Sequence, residues 1–140
     1  MKILLAADGS KHTGRAVDYV IKHRERFGPS PGLVLIHVRM PVPGRAAAAL
    51  GRSTLEKYYA DETHKALAQA RRKLDRAGLA YTVAGRLGDP GGEVAEFARK
   101  GRFDMFVMGS HGHGMLSSLV LGSCATKVLA RCKVPVLLIR

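Results

Sequence analysis

Five short, mainly apolar runs recur along the chain, separated by segments whose apolar residues follow helical spacing. Except in the third run, which contains Thr82, Gly85 and Arg86, the apolar residues are nearly continuous rather than alternating, which is typical of strands buried on both faces of a parallel sheet. They lie at residues 3–7, 33–38, 79–87, 103–108 and 134–139. The third run is the weakest, so we expect this strand near an edge of the sheet. Strands that alternate with helices predict a three-layer α/β/α fold with a parallel sheet.

Capping residues mark where the first two long helices begin. Ser10 follows the first strand and can cap a helix. Ser53 and Glu56 have the spacing of a capping box, which predicts a helix from Ser53 to about Arg76. Between these helices, beyond the second strand, residues 39–52 contain several prolines and glycines. This segment is predicted to be an irregular, mobile flap.

Two further helices are also indicated by their first residues. Asp89 and Pro90 fit an N-cap followed by proline at the first helical position. The last helix is predicted to begin at Gly122 or Ser123, after one turn of helix at residues 115–120. Each boundary falls between two apolar runs, in agreement with the alternation of strands and helices.

The most distinctive stretch follows the fourth strand. Gly109 and Gly112 are separated by two residues, and nine residues later Gly122 and Ser123 open a helix. Glycines let the backbone approach a ligand without a Cβ and allow positive φ. A helix N-terminus adds unpaired N–H groups and a favourable dipole, so the spacing favours a site for phosphate. The alternative is that the glycines only end a strand and Ser123 only caps a helix.

The composition is that of a globular chain. Its 140 residues, 46% of them hydrophobic, predict one domain that spans residues 1–140. No apolar run is long enough to cross a membrane, so we expect no membrane contact. The N-terminal apolar stretch is too short for a signal peptide, and a cytoplasmic location is expected.

The charge is strongly basic, with a formal net charge of +12 and a pI of about 10.3. Such a charge is compatible with binding to nucleic acid, anionic lipid or a nucleotide, and it specifies none of them. The basic residues are dispersed and mostly on predicted helix surfaces, while aromatic residues are sparse. Nucleic-acid binding is therefore disfavoured.

Several familiar motifs are absent from the sequence. The turn after the first strand does not match the GxGxxG of dinucleotide-binding folds, and no Walker A loop occurs. Neither HExxH nor paired CxxC motifs are present, so no metal site is predicted. Cys124 and Cys132 are interpreted as small core residues.

Three histidines invite a chemical interpretation. His111 and His113 alternate with glycine, and a loop histidine that contacts a bound ligand is favoured over a solvated one. Metal binding is the least favoured alternative, because no acidic or thiol partner is nearby in the sequence. His37 ends an apolar run and is interpreted as a satisfied core residue. A hydrolase triad of Ser123, His111 and Asp8 lacks a GxSxG elbow, so no catalytic residue is predicted.

The spacing of Gly109, Gly112, Gly122 and Ser123 resembles the nucleotide-binding signature of the universal stress protein family. The acidic turn that begins at Asp8 agrees with this, and the resemblance covers the whole chain. It implies a Rossmann-like fold of the adenine nucleotide alpha hydrolase-like type, with a five-stranded sheet in order 3-2-1-4-5. The ligand crevice is then expected at the carboxyl ends of the first and fourth strands.

The resemblance also implies which residues contact an adenine nucleotide. They are Ala7, Asp8, Val38, Met108, Gly109, Ser110, His111, Gly112, His113, Gly122, Ser123 and Cys124. Asp8 matches the residue near the ribose or base, Val38 and Met108 match residues that flank the base, and the glycines with Ser123 match ribose and phosphate contacts. From the residues alone, Asp8 could accept hydrogen bonds from ribose hydroxyls or simply stabilise its own turn.

The function implied by the resemblance is a stress-response or regulatory protein that binds ATP, with Mg²⁺. We expect at most slow ATP hydrolysis and no fast catalysis. A homodimer through the last strand, residues 134–139, is implied as well, since an apolar edge strand needs a cover. The alternative is a nucleotide-free dimeric adaptor that works through protein contacts. AMP or a cyclic nucleotide in the same crevice is equally compatible with the residues.

Overall fold

The structure is a computed structural model of the chain and describes residues 1–113 and 121–140. The strands are β1 Lys2–Ala6, β2 Gly32–Arg39, β3 Tyr81–Leu87, β4 Met105–Gly109 and β5 Val136–Ile139. The helices are α1 Lys11–Lys22, α2 Gly44–Leu50, α3 Arg52–Arg76, α4 Pro90–Gly101 and α5 Ser123–Arg131, with a short 3-10 helix at Arg24–Phe27. The helix turn predicted at residues 115–120 lies outside the described residues.

All strand pairs are parallel, and the sheet order is β3-β2-β1-β4-β5. The predicted fold and order are thereby confirmed, including the edge position of the third strand. β1 lies between β2 and β4, so the chain winds toward one edge after β1 and toward the other after β4. A crevice is expected at this reversal, beyond the carboxyl ends of these two strands.

Two apolar cores lie on the two faces of the sheet. Alternate residues of β1 point to opposite faces, so Ile3 and Leu5 join the core under α1 and α3, while Leu4 joins the core under α4 and α5. All three side chains are fully buried. This two-sided burial is the physical reason that the strand sequences are continuously apolar.

Two predicted helix caps are confirmed. The hydroxyl of Ser10 accepts a hydrogen bond of 3.3 Å from the backbone N–H of Thr13 at the start of α1. Asp89 accepts one of 2.9 Å from the N–H of Gly92, with Pro90 as the first residue of α4. Each cap satisfies a donor that has no partner within its own helix.

The predicted capping box at the start of α3 is wrong. The helix begins at Arg52 instead of Ser53, with Gly51 as its N-cap and no side chain capping it. Gly51 adopts a φ of 78°, so it takes the sharp turn itself and places Ser53 inside the helix. The carboxylate of Glu56 pairs with Arg52, at 2.9 Å, rather than with the backbone.

The irregular flap predicted at residues 39–52 is also wrong in part, because its centre is helical. α2 covers Gly44–Leu50, and none of its residues is buried. Residues 46–49 are four alanines, and alanine has the highest helix propensity of any residue type. This propensity outweighs the flanking prolines and glycines. The mobility of this segment stays a prediction.

Within the described residues, no helix is both long enough and apolar enough to cross a membrane.

Replacing Leu74 with alanine tests the core beneath α3. Leu74 is 0% exposed, so we expect Leu74→Ala to lower the free energy of unfolding by about 2–5 kcal/mol through lost contacts and a cavity. Leu50, at 45% exposure, offers the same substitution on the surface, and Leu50→Ala should change stability by about 0.5 kcal/mol or less. Urea denaturation followed by circular dichroism measures both. Equal effects at the two positions would contradict the assigned core.

Candidate functional site

A cavity of about 140 Å³ lies at the carboxyl ends of β1, β2 and β4, beside the first turns of α4 and α5. The structure brings together in its lining every residue for which the sequence predicted a ligand contact: Ala7, Asp8, Val38, Met108, Gly109, Ser110, His111, Gly112, His113, Gly122, Ser123 and Cys124. Their contact with a ligand stays a prediction, whereas their convergence is a property of the fold.

Asp8 is held in place by the turn between β1 and α1. Its Oδ1 accepts hydrogen bonds from the N–H of Ser10, at 2.9 Å, and from the hydroxyl of Thr13, at 2.6 Å. Burial acts to raise the pKa of Asp8, but the hydrogen bonds from Thr13 and Ser10 outweigh it, so the pKa lies below its ordinary value. Asp8 is therefore a carboxylate at neutral pH.

The other carboxylate oxygen of Asp8 faces the glycine loop. A Cβ built on Gly112 would lie 2.7 Å from Oδ2 of Asp8. Among the residues that the structure describes, none donates a hydrogen bond to Oδ2. Asp8 thus combines a structural acceptor, Oδ1, with a second acceptor that is available at the cavity.

Gly109 ends β4 at the point where α1 packs against it. A Cβ on Gly109 would lie 2.7 Å from Cβ of His12 and 2.8 Å from its carbonyl carbon, closer than real Cβ contacts come. Because part of this contact is backbone, a side chain could be fitted only by moving α1. The glycine at this position therefore permits the approach of a helix, whereas the sequence had suggested the approach of a ligand.

The glycines of the loop do not use the positive φ that their residue type allows. Neither Gly109 nor Gly112 has a positive φ, and Gly122 has a φ of −61°. Space is the constraint instead: a Cβ on Gly122 would lie 3.3 Å from the carbonyl oxygen of Ser110. The loop is packed too tightly at these points for any larger residue to fit without a shift.

The start of α5 presents backbone donors to the cavity. Gly122 is the N-cap and Ser123 the first helical residue, which decides between the two predicted positions. The N–H of Gly122 is used internally, since it donates to the carbonyl of Ser110 at 3.0 Å. The first bond inside the helix runs from Thr126 to Gly122, at 2.9 Å. Three N–H groups then have no acceptor among the described residues: those of Ser123, Cys124 and Ala125.

Apolar side chains form another part of the lining. Val38 lies at the end of β2, Met108 near the end of β4, and Val94 in α4. All three belong to the core beneath α4 and α5 or pack against it. These packed side chains offer a flat aromatic ring an apolar surface.

Two histidines in the lining are oriented by backbone carbonyls of neighbouring residues. Nδ1 of His37 lies 2.8 Å from the carbonyl oxygen of Ala7, and Nε2 of His113 lies 2.7 Å from that of Asp8. A carbonyl oxygen only accepts, so each of these ring nitrogens carries the hydrogen. The prediction that His37 is a satisfied, buried residue is confirmed.

His12 was not singled out by the sequence. Its ring lies 5.2 Å from that of His111, measured between centroids, and Nδ1 of His111 lies 2.9 Å from Oγ of Ser110. Nδ1 of His12 is buried with no hydrogen-bond partner in the described part of the chain. Burial, followed by the charge of His111, lowers the pKa of His12, so its ring favours the neutral form. In the sequence, Gly109 was the only signal of this contact, because a glycine there leaves room for another element to pack on the end of β4.

Cys124 contributes a neutral thiol. Burial, followed by the nearby charges of Asp8 and Asp89, raises its pKa to about 11. Since the thiolate is the nucleophilic form, Cys124 is poorly suited to covalent catalysis at neutral pH.

The lining contains histidines but neither lysine nor arginine among the described residues. The sequence of residues 114–120 contains no basic residue either. In the described part of the chain, no three residues from His, Cys, Asp and Glu are placed to hold a metal ion. An anion at the start of α5 would therefore meet backbone amides, the hydroxyl of Ser123 and imidazole rings.

Comparison with known proteins gives a consistent result. The family model described as the universal stress protein family matches residues 1–140. A universal stress protein of Thermus aquaticus, encoded in the 3′ region of QAH/OAS sulfhydrylase, is 31% identical over 144 aligned positions. The alignment covers 99% of this chain and 97% of the relative.

Solved structures of similar fold include three with bound nucleotides. A universal stress protein in complex with cAMP has a TM-score of 0.72 at 23% identity, covering 100% of this chain and 97% of its own. One from Archaeoglobus fulgidus in complex with dAMP has a TM-score of 0.72 at 18% identity, covering 100% and 98%. One from Arabidopsis thaliana with AMP bound has a TM-score of 0.69 at 17% identity, covering 99% and 90%. The match to the family model along the whole length places this chain in the universal stress protein family.

Proposed function

We propose that this chain binds an adenine nucleotide in the crevice between β1 and β4, and that it acts as a stress-response or regulatory module. ATP with Mg²⁺ is the ligand that the family resemblance favours. The observation that carries the proposal is the set of N–H groups without acceptors at the start of α5, which face the same cavity as the Asp8 carboxylate and an apolar wall.

The three parts of a nucleotide match three parts of the cavity. Val38 and Met108 offer apolar contact to adenine. The available oxygen of Asp8, Oδ2, can accept from ribose hydroxyls, as acidic residues do in other α/β nucleotide sites. The amides of Ser123 and Cys124, together with the Ser123 hydroxyl, can donate to phosphate oxygens. Relatives of similar fold crystallised with cAMP, dAMP and AMP support this assignment.

Magnesium fits this site only together with the nucleotide. Mg²⁺ prefers oxygen ligands and is commonly held by substrate phosphates with one or two carboxylates. Asp8 is the one carboxylate among the described lining residues, so the phosphate chain would supply most of the other oxygen ligands of Mg²⁺. Mg²⁺ would neutralise part of the charge of the phosphates.

Fast catalysis is not part of the proposal. The thiol of Cys124 is neutral, and the carboxylate of Asp8 is engaged by Ser10 and Thr13 in the turn after β1. Oγ of Ser110 lies 2.9 Å from Nδ1 of His111, but Ser110 is almost fully buried, so its hydroxyl is poorly placed to act as a nucleophile on a bound nucleotide. Slow hydrolysis of bound ATP is the most that we propose.

We also propose a homodimer through β5. β5 is the last strand of the sheet order, and its side chains are only half-buried. Phe106 donates to the carbonyl of Pro135 and Ser110 to that of Ile139, so alternate residues of β5 face β4. The N–H of Leu138 then points to the free edge, where a second copy can pair with it.

Ser123→Pro tests the phosphate donors. Proline is well tolerated at the first helical position, and Gly122 already has a ψ of 153°, which suits a residue before proline. The substitution removes one N–H, so we expect the Kd for AMP and ATP to rise roughly tenfold, while the Kd for adenosine stays unchanged. Isothermal titration calorimetry measures all three.

Ser123→Ala is the matched control, since it removes the hydroxyl and keeps the amide. A smaller loss in Ser123→Ala than in Ser123→Pro is expected. If wild-type protein binds none of the three ligands at millimolar concentration, nucleotide binding fails as the function and the nucleotide-free adaptor takes its place.

Asp8→Asn tests the ribose contact. Asparagine keeps one oxygen for Ser10 and Thr13 but replaces the available acceptor with an NH₂ donor. We expect the Kd for adenosine and AMP to rise roughly tenfold with little change in fold. Asp89→Asn is the control, because Asp89 caps α4 and lies outside the cavity lining. An unchanged Kd in Asp8→Asn would exclude this carboxylate from the ribose site.

Leu138→Pro tests the dimer. The outward N–H is lost, and proline is tolerated at the free edge of a sheet, so we expect a monomer by light scattering after size exclusion. Leu138→Ala keeps the N–H and should remain a dimer, although a weaker one. Persistence of the dimer in Leu138→Pro would place the interface elsewhere, and a monomeric wild type would remove the proposal.

A further inference from the structure

His113 has a ring at this cavity that can carry a positive charge, and the nucleotide contacts proposed above do not involve it. It lines the cavity next to Gly112, on the side of the glycine loop. Its Nε2 is engaged by the carbonyl oxygen of Asp8 at 2.7 Å and must therefore carry a hydrogen. The remaining ring nitrogen, Nδ1, has no hydrogen-bond partner among the described residues.

The state of Nδ1 decides what an incoming phosphate meets. With Nε2 protonated, a neutral ring presents a lone pair at Nδ1, which cannot bond to a deprotonated phosphate oxygen because both are acceptors. Addition of a proton at Nδ1 turns it into a donor and gives the ring a positive charge. Histidine is the side chain for which this change falls in the physiological range of pH.

Protonation of His113 would alter the charge of the cavity strongly, because the described lining has no permanent cation. Neither lysine nor arginine lines the cavity in the described residues, and the sequence at 114–120 contains none. The cationic charge available to a phosphate within the lining thus comes from imidazole rings. His37 lies at the other side of the cavity, at the end of β2 next to Val38, which leaves the loop histidines nearest to the glycines.

We infer that binding of a nucleotide phosphate takes up a proton at Nδ1 of His113, so that the affinity for nucleotides rises as the pH falls. This rests on the proposed nucleotide binding and adds its regulation: the loading of the site follows the pH of the surroundings. Adenosine, which has no phosphate, binds without the proton.

Several other titratable and charged groups lie in the cavity lining or beside it. They are Asp8 from the turn after β1, His12 with Lys11 and Arg15 near it on α1, His37 from β2, His111 from the loop and Cys124 from α5. The carboxyl group of Asp8 has a lowered pKa, the thiol of Cys124 a raised one and the ring of His12 a lowered one. These directions favour a charged Asp8, a neutral thiol and a neutral His12 ring near neutral pH, so His37 and His111 are the rings that substitution has to separate from His113.

Calorimetry in two buffers of different ionisation enthalpy, such as PIPES and Tris at pH 7, measures the protons exchanged on binding. AMP is the probe, and its own phosphate has a second pKa of about 6. If the site binds the dianion of AMP, the phosphate releases protons on binding. A net uptake of protons therefore has to come from the protein. We expect uptake of up to about one proton per AMP, none with adenosine, and a Kd for AMP that rises by up to about tenfold per pH unit above neutrality.

His113→Gln removes the titrating nitrogen while its amide can still donate to the carbonyl of Asp8. We expect this variant to bind AMP with no proton uptake and a flat pH dependence. His64→Gln is the matched control, because His64 is exposed on α3 and outside the cavity lining, and it should behave as wild type.

Three results would overturn the inference: AMP binding with no net uptake in the wild type, equal uptake with adenosine, or uptake that persists in His113→Gln and disappears in His111→Gln. Failure of AMP and adenosine alike to bind would instead remove the proposed function itself. Urea denaturation of His113→Gln separates a loss of binding from a loss of fold.

Discussion

Two glycines whose close contacts leave no room for a Cβ shape the crevice. Gly109 meets His12 of α1, and Gly112 meets the carboxylate of Asp8, each at 2.7 Å from the position a Cβ would occupy. β1 and β4 are neighbours, but the helices that follow them cover opposite faces of the sheet. The chain must therefore pass itself closely where the two strands end, and glycine is the residue that permits it. This approach brings the carboxylate of Asp8, on the turn after β1, next to the glycine loop that follows β4.

One hydrogen bond closes the loop that follows β4. The N–H of Gly122 donates to the carbonyl of Ser110 at 3.0 Å, so the segment between them leaves and returns at the same point. Gly112 and the start of α5 are thereby brought to one place, although nine residues separate Gly112 from Gly122. The bond gives the amide of the N-cap Gly122 an acceptor, whereas the amides of Ser123, Cys124 and Ala125 have none among the described residues. Closure of the loop therefore brings these unpaired donors next to the glycines that follow β4.

The sequence predicted the fold well because two-sided burial leaves a direct mark, namely continuous apolar runs that alternate with helices. Predictions failed where two local preferences competed. At the start of α3, the positive φ of Gly51 displaced the capping box of Ser53, and at residues 46–49 alanine propensity outweighed the neighbouring prolines. In the site, the family resemblance implied which residues converge, but it did not predict that Gly109 makes room for α1. His12 was missed because its role depends on α1 packing against β4, a contact between residues far apart in the chain.

The electrostatics of the molecule act on two length scales. A formal charge of +12 attracts anions of any kind from a distance, although salt screens it beyond about 8 Å at physiological ionic strength. Within the described lining of the cavity, no lysine or arginine continues that attraction. The described lining offers an anion neutral amides with fixed directions and imidazole rings. A permanent cation would attract phosphate at every pH, whereas under the proposed protonation of His113 the affinity for phosphate would fall as the pH rises.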